Sequence, residues 1–255
     1  MTVETSEPAL PAGKPLASRL RDFLAWRSRP LRGWLRHSLE PRGLRLRRLR
    51  HLRKVHVGCG LVHLDGWINV DLQKLPEGDV AFDVTRRFPF RDLTHVYAEH
   101  FLEHLRAADA LEFLVAVRRA LAPQGRLRLS TPNLDWVLTH VYRARVPGED
   151  ADARVARALA VNRAFYGWGH RFLWNRETLT AALAAAGFTD ARWCRYGESD
   201  EPAFAGLERH ETGPDEESLP HVLIVEAMAG DPTAPGALRD LAARIEREVG
   251  RYLED

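Results

Sequence analysis

The stretch that most limits the fold is "KVHVGCGLVHLDGWINVDL", residues 54–72. A short apolar run breaks into Gly58-Cys59-Gly60, and a second apolar run follows and ends on Asp71. A glycine turn directly after a strand lets the backbone approach a ligand closely, because glycine has no Cβ and tolerates positive φ. An acidic side chain at the end of the next strand can accept hydrogen bonds from ribose hydroxyls. The two features together predict an α/β sheet with a nucleotide-like ligand at the carboxyl ends of its strands. They argue against a dinucleotide. That fingerprint wants a third glycine and an acidic residue about 20 residues further on. Here Gly60 is followed by "LVHLDG", and Asp71 comes 11 residues after Gly60. No room remains for a full helix whose N-terminus would hold a pyrophosphate.

Further along, "DVAFDV" (79–84), "LTHVYAE" (93–99) and "RLRLSTPN" (126–133) read as strands. "LRAADALEFLVAVRRALAPQG" carries an apolar stripe through Leu105, Leu111, Leu114, Val115 and Val117. It predicts a helix that runs to Pro123 and Gly125. A polar, helix-prone section covers about 134–165. "NRETLTAALAAAGF" is a helix with Asn175 as N-cap and Gly187 at its end. "DARWCRYGES" (190–199) and "HVLIVEAMA" (221–229) close the strands, and 235–255 reads as a solvent-facing C-terminal helix. The pattern predicts a doubly wound α/β sheet without internal repeats.

Charge divides the chain. Residues 18–54 hold thirteen Lys and Arg against Asp22 and Glu40, a net of +11, while residues 55–255 carry −8. The division is therefore a disordered N-terminus (1–17), a basic amphipathic arm (18–52), a domain over 53–230 and the helix over 235–255. Pro30 splits the arm into two helical pieces. Three readings of the arm remain open. It lies on an anionic membrane surface through residues 18–54, with Trp26 and Trp34 as interfacial anchors. It binds nucleic acid, which is disfavoured because no RNA-binding module is present. Or it packs on its own domain and closes the ligand cleft. No apolar run is long enough to span a bilayer, and the N-terminus lacks a secretory pattern. Cys59 and Cys194 are the only cysteines and read as free thiols. The expected place is thus the cytoplasm, with peripheral attachment at the inner membrane face as an option.

"VHVGCG", "GWINVD", "DVTRRFPF", "YAEHFLEHL", "RALAPQGRLRLSTPN" and "HRFLWNRETLTAALAAAGF" stand in this order. Together they resemble the class I S-adenosylmethionine-dependent methyltransferases, and a small bacterial branch whose first motif reads Gly-Cys-Gly and then "GWINVD". "ESDEPAFAGLERHE" and "LIVEA" are also similar to that branch. The resemblance covers roughly residues 53–230. It implies a mostly parallel seven-stranded sheet and S-adenosylmethionine as cofactor. Gly58, Cys59 and Gly60 would pass beneath the cofactor's amino-acid end, and Asp71 would bind its ribose. Asp83 and Val84 would sit at the adenine, while Ala98, Glu99 and His100 would lie near the methyl group. His56 occupies the family's customary acidic place, and the third glycine is missing.

Methyl transfer to oxygen benefits from a general base, and histidine has a suitable pKa. His100, His104 and His170 are the candidates, with Glu99 and Glu103 as carboxylate partners. "HFLEH" sets a histidine pair at i, i+4 spacing, but no distant third ligand can be named for it, so no metal is expected. Tyr166, Trp168, His170 and Trp174 are placed on an acceptor wall or a hydrophobic lid, and Asn133 on an acceptor contact or a turn. The sequence reading is an O-methyltransferase acting on a small molecule or a saccharide or lipid-linked glycan precursor. The alternative is a catalytically silent binding or scaffold protein of the same fold in an envelope-glycan pathway. The Asn/Asp-Pro-Pro-Tyr motif of many nucleic-acid N-methyltransferases is absent after strand four, where "AEHF" stands.

Overall fold

A computed structural model describes residues 31, 35, 41–141, 147–210, 219–230 and 235–249. The segment 1–17, most of 18–40 (with Trp26 and Trp34) and residues 250–255 lie outside the described residues. Seven strands form one open sheet in the order β3-β2-β1-β4-β5-β7-β6. These are β1 (Lys54–Val57), β2 (Ile68–Asp71), β3 (Val80–Ala81), β4 (Leu93–Glu99), β5 (Leu121–Pro132), β6 (Phe188–Trp193) and β7 (Val222–Ala229). The first five run parallel, and β7 is antiparallel to both β5 and β6. The chain winds outward from β1 to β3 and crosses back to β4, so the topological switch lies between β1 and β4. A ligand site belongs in the crevice at their carboxyl ends.

The central strands are buried on both faces, which explains their continuous apolar runs. Val55, Val57, Val70, Val96 and Leu127 have no more than trace exposure. Helix α2 (Ala107–Ala120) buries Ala110, Leu111, Phe113, Leu114 and Val117 against them. Its core-facing positions recur at helical spacing, and Arg118 and Arg119 suit the negative end of its dipole. This helix stops earlier than its apolar stripe predicts. Leu121 already pairs with Leu93, and Pro123 cannot supply a helical amide. Gly125 then sits where a Cβ would lie 2.8 Å from the Leu93 carbonyl oxygen.

Strand β3 is shorter than 79–84, because the chain turns at Asp83. Its Oδ1 accepts from the Thr85 amide at 3.0 Å and the Thr85 hydroxyl at 2.6 Å. The penultimate strand covers 188–193 rather than 190–199, since Gly197 turns with φ +70°. Helix α3 (Ala151–Asn162) is followed by α4 (Arg176–Ala185), which starts with the predicted Asn175 cap, whose side chain accepts from the Thr178 amide at 3.0 Å. The C-terminal helix, α5 (Pro235–Val249), is not simply solvent-facing. Leu238, Leu241, Ala242 and Ile245 pack against the central core. The described part of the arm also docks. Helix α1 (Arg42–Leu49) lies by β3, with Leu46 and Leu49 against the core. Arg45 is buried and donates to the Asp79 carbonyl at 2.9 Å.

One buried cation organises the far side of the sheet. Arg128 on β5 has no exposed surface. Its Nε donates to Glu208 Oε1 at 2.6 Å, and Nη1 donates to Glu226 on β7. Glu208 also accepts from the Gly197 amide at 3.1 Å, and its backbone carbonyl accepts from the Tyr196 hydroxyl at 3.0 Å. The segment 196–210 is thereby strapped to the sheet. Arg128→Met removes the cation that bridges the two buried carboxylates, leaving Glu226 its longer pair with Arg192 at 3.4 Å. Chemical denaturation of this variant should show a loss of about 3–5 kcal/mol, the usual cost of orphaning buried charge. A loss of less than about 1 kcal/mol, within the range of a surface ion pair, would show that the clasp contributes little.

Candidate active site

The carboxyl ends of β1 and β4 open into a cavity of about 1000 Å³. That volume suits a nucleoside-sized ligand together with a second molecule. Gly58 (φ +65°) and Gly60 (φ +51°) turn the chain out of β1. A Cβ on Gly58 would approach Phe101 Cδ2 to 2.8 Å, so this position requires glycine for packing as well as for φ. Asp71 closes the turn. Its Oδ2 accepts from the Gly60 amide at 2.9 Å and its Oδ1 from the Gln73 amide at 2.8 Å. A carboxylate has further lone pairs for a ligand hydroxyl.

The cavity wall brings together Gly58, Cys59, Gly60, Glu99, His100, His104 and His170. Asp71 touches the wall through Gly60 but does not line it. Asp83 is set apart, held by Thr85 and by Arg86 at 3.4 Å. Its pKa is lowered, first by the Thr85 hydroxyl. Val84 is buried in the central core. Cys59 is buried, and burial followed by the nearby Asp71 pushes its thiol up, so it is no nucleophile at neutral pH. Cys194 is half-buried.

His100 ends β4 in the left-handed region at φ +47°, unusual for a residue with a side chain. Its amide donates to the Ser130 carbonyl at 3.0 Å. Its Nδ1 lies 3.0 Å from Oε1 of Glu103, a carboxylate with no exposed surface, whose Oε2 accepts from the Thr131 hydroxyl at 3.0 Å. A carboxylate on Nδ1 holds an imidazole in one orientation and leaves Nε2 for proton transfer. Glu99 is engaged differently. Its Oε1 accepts from the amides of Arg209 at 2.8 Å and His210 at 3.0 Å, and it pairs with the His210 ring at 3.2 Å. Burial raises the Glu99 pKa, but these donors outweigh it and hold the carboxyl at about 2. The same bond raises the pKa of His210. Arg209 and His210 therefore roof the cavity, and the His210 ring centroid lies 4.6 Å from that of His100. Sequence reasoning missed both residues, which lie 110 and 111 positions from their partner. "GLERHE" was the only available signal.

Other expected wall residues divide. His170 and Trp168 line the cavity, joined by Trp136, Arg163 and His221. Trp174 has 1% exposure and belongs to the core instead, because it sits beside Asn133 in an isolated bridge under the sheet end. Tyr166 is 73% exposed and does not line the cavity. Asn133 is a turn residue, accepting from the Asp135 amide at 3.0 Å and donating to the Pro220 carbonyl at 2.8 Å. The fold also folds His170 back onto the turn of Glu103 and His104, 66 residues earlier, a meeting that the sequence spacing does not reveal. His56 is buried and shares its Nδ1 with Asn69 Oδ1 at 3.2 Å. Burial lowers its pKa from 6.5 to about 4, so a neutral ring occupies this position.

Residues 67–192 match a family model described as a methyltransferase domain. No curated protein matches this chain in sequence. Two similar solved structures are a SAM-dependent methyltransferase from Archaeoglobus fulgidus and an S-adenosylmethionine-dependent methyltransferase from Mesorhizobium loti. The first is 20% identical, with 74% of this chain and 94% of that chain covered and a TM-score of 0.42. The second is 18% identical, with 71% and 96% covered and a TM-score of 0.43. The CurJ carbon methyltransferase is 17% identical with a TM-score of 0.41; the match covers 71% of this chain and 49% of that one, so this chain spans about half its length.

Residues 67–192 thus read as a methyltransferase domain, whose methyl donor is S-adenosylmethionine. The cavity fits that donor. A Cβ built on Gly60 would have its nearest neighbour, the Gly58 carbonyl oxygen, at 4.0 Å, so the turn is open above. Among the described residues Glu99 is the one carboxylate on the wall, suited to a cationic group. No described helix is long and apolar enough to cross a membrane.

The buried His56 ring makes a pH prediction. A depressed folded pKa contributes stability that is whole above the ordinary value of 6.5 and is lost as the pH falls toward about 4. The loss across that window should be on the order of 3 kcal/mol. His56→Gln keeps an amide donor for Asn69 but does not titrate. Denaturation midpoints between these pH values should vary less in the variant than in the wild type.

Proposed function

We propose that this methyltransferase transfers its methyl group to a hydroxyl oxygen of a small molecule or saccharide, with His100 as general base. The observation that supports the reading is the Thr131–Glu103–His100 chain at the carboxyl end of β4, buried at Thr131 and Glu103 and reaching the cavity at His100. When bound, S-adenosylmethionine supplies a methyl group on a sulfonium centre, which is already a good leaving group. The protein's task is then alignment and removal of one proton. Gly58, Cys59 and Gly60 would hold the donor's amino-acid end, with Asp71 bracing the turn from behind. Glu103 fixes the imidazole, and Nε2 is the nitrogen left to accept the acceptor's proton. Trp136 and Trp168 offer aromatic faces to a sugar ring, and Arg163 and His221 offer polar contacts. A lipid-linked glycan precursor fits the same description, as its terminal sugar would be the part that enters.

The test combines binding and turnover. Calorimetry with S-adenosylhomocysteine should give one site, weakened at least about tenfold, or 1.4 kcal/mol, by Asp71→Ala. Transfer of labelled methyl to a panel of hexoses, deoxysugars and phenols should identify an ether product. With that acceptor, His100→Gln should lower kcat by about 10²–10⁴-fold while leaving homocysteine-ligand affinity unchanged. Absence of binding at millimolar ligand would favour the silent-scaffold alternative. A product methylated on nitrogen or carbon would overturn the oxygen assignment.

A further inference from the structure

We infer that Glu103, His104 and His170 form a binding site for one divalent transition-metal cation at the edge of the cavity, which the two histidines line and the carboxylate backs. One ligand atom from each residue lies within 4.8 Å of the others. A tetrahedral cation with bonds near 2.1 Å spaces its ligands roughly 3.4 Å apart. Side-chain movement of about 1 Å would close the set.

Three features make this a built site rather than a chance gathering. The first is charge. Glu103 is a wholly buried carboxylate, and among the described residues its ion pair is with His100 and not with a Lys or Arg. Buried charges are normally paired or bound to metal. The second is ring orientation. His170 Nδ1 lies 2.7 Å from the Ala164 carbonyl oxygen. A carbonyl can only accept, so this nitrogen carries the proton and Nε2 presents a lone pair. The His104 ring lies beside that of His170, with centroids 5.1 Å apart. The His170 imidazole therefore has one nitrogen occupied by backbone and the other available, the arrangement that metal-ligating histidines adopt. The third is scaffolding. The Glu103 carbonyl accepts from the amides of Arg171 at 2.7 Å and Phe172 at 3.2 Å. Two backbone bonds thus fix the segment carrying His170 to the turn carrying the other two ligands.

Two nitrogens and one carboxylate oxygen suit zinc, cobalt, manganese or ferrous iron better than magnesium or calcium. His104 and His170 line the cavity, so the remaining coordination positions open toward it. An acceptor hydroxyl entering there would become more acidic. Its proton would pass to His100, and its oxygen would keep the electron pair that attacks the methyl carbon. This use of the metal rests on the oxygen-methylation reading; the site itself rests only on the three side chains.

The experiment uses the full chain, stripped of metal by chelator and dialysed, then titrated with cobalt(II) by calorimetry and visible absorption. The expected result is one saturable equivalent with d–d bands of a nitrogen-ligated ion. His104→Gln and His170→Gln should each weaken binding by at least about 100-fold and leave S-adenosylhomocysteine affinity unchanged, which also reports that they fold. No saturable cobalt or zinc binding at millimolar ion overturns the site, as does wild-type cobalt affinity in both variants. Tighter binding of magnesium than of cobalt overturns the choice of ion. Failure of S-adenosylhomocysteine to bind the wild-type chain would count against the function proposed above and leave the metal result to stand alone.

Discussion

Arg128 holds together the half of the molecule that the donor turn does not reach. It reaches Glu208 in the strap and Glu226 in β7 from a position with no exposed surface. Such a cluster is stable only when complete, because each missing partner leaves an uncompensated charge in the interior. The strap cannot peel away locally without that cost. Its next two residues, Arg209 and His210, deliver their amides to Glu99 at the end of β4. The geometry of the cavity roof is therefore set by an interaction on the other side of β5.

The end of β4 concentrates the departures from ordinary structure. Glu99 is held ionised by the strap, His100 takes a left-handed backbone, and Glu103 is buried one turn later. Each would be unfavourable alone. Strain and buried polarity of this kind are kept where function over-determines them. All three belong to one seven-residue run, "YAEHFLEH" without its first residue, so a single short segment supplies the wall carboxylate, the base and its orienting partner.

How much of this was legible in the sequence follows from the range of the interactions. Strand β4 was read with its observed ends, and the Asn175 cap needed only a four-residue pattern. The glycine turn and Asp71 were legible because strand, turn and strand lie within 20 residues. Helix α2 was drawn too long because its stripe continues through Leu121, whereas pairing with Leu93 decided that residue's fate. Trp174 was misplaced because aromatic composition does not say which face of a segment is buried. The contacts Glu99–His210 and Glu103–His170 join segments far apart in sequence, and no local pattern encodes them.

The fixed roof also bears on how molecules enter and leave. The loop is held by Glu99 on one side and by Arg128 on the other, so lifting its described residues would break buried contacts at both. The opposite rim is built differently. Two π-helical turns, Val137–Val141 and Arg163–Gly167, interrupt the regular helical ladder there, and Trp168 stands 63% exposed at the edge. Wider turns and a solvent-facing aromatic make this the compliant border of the cavity. Trp168 thus marks a solvent-facing edge of the described cavity wall, on the side of these two turns.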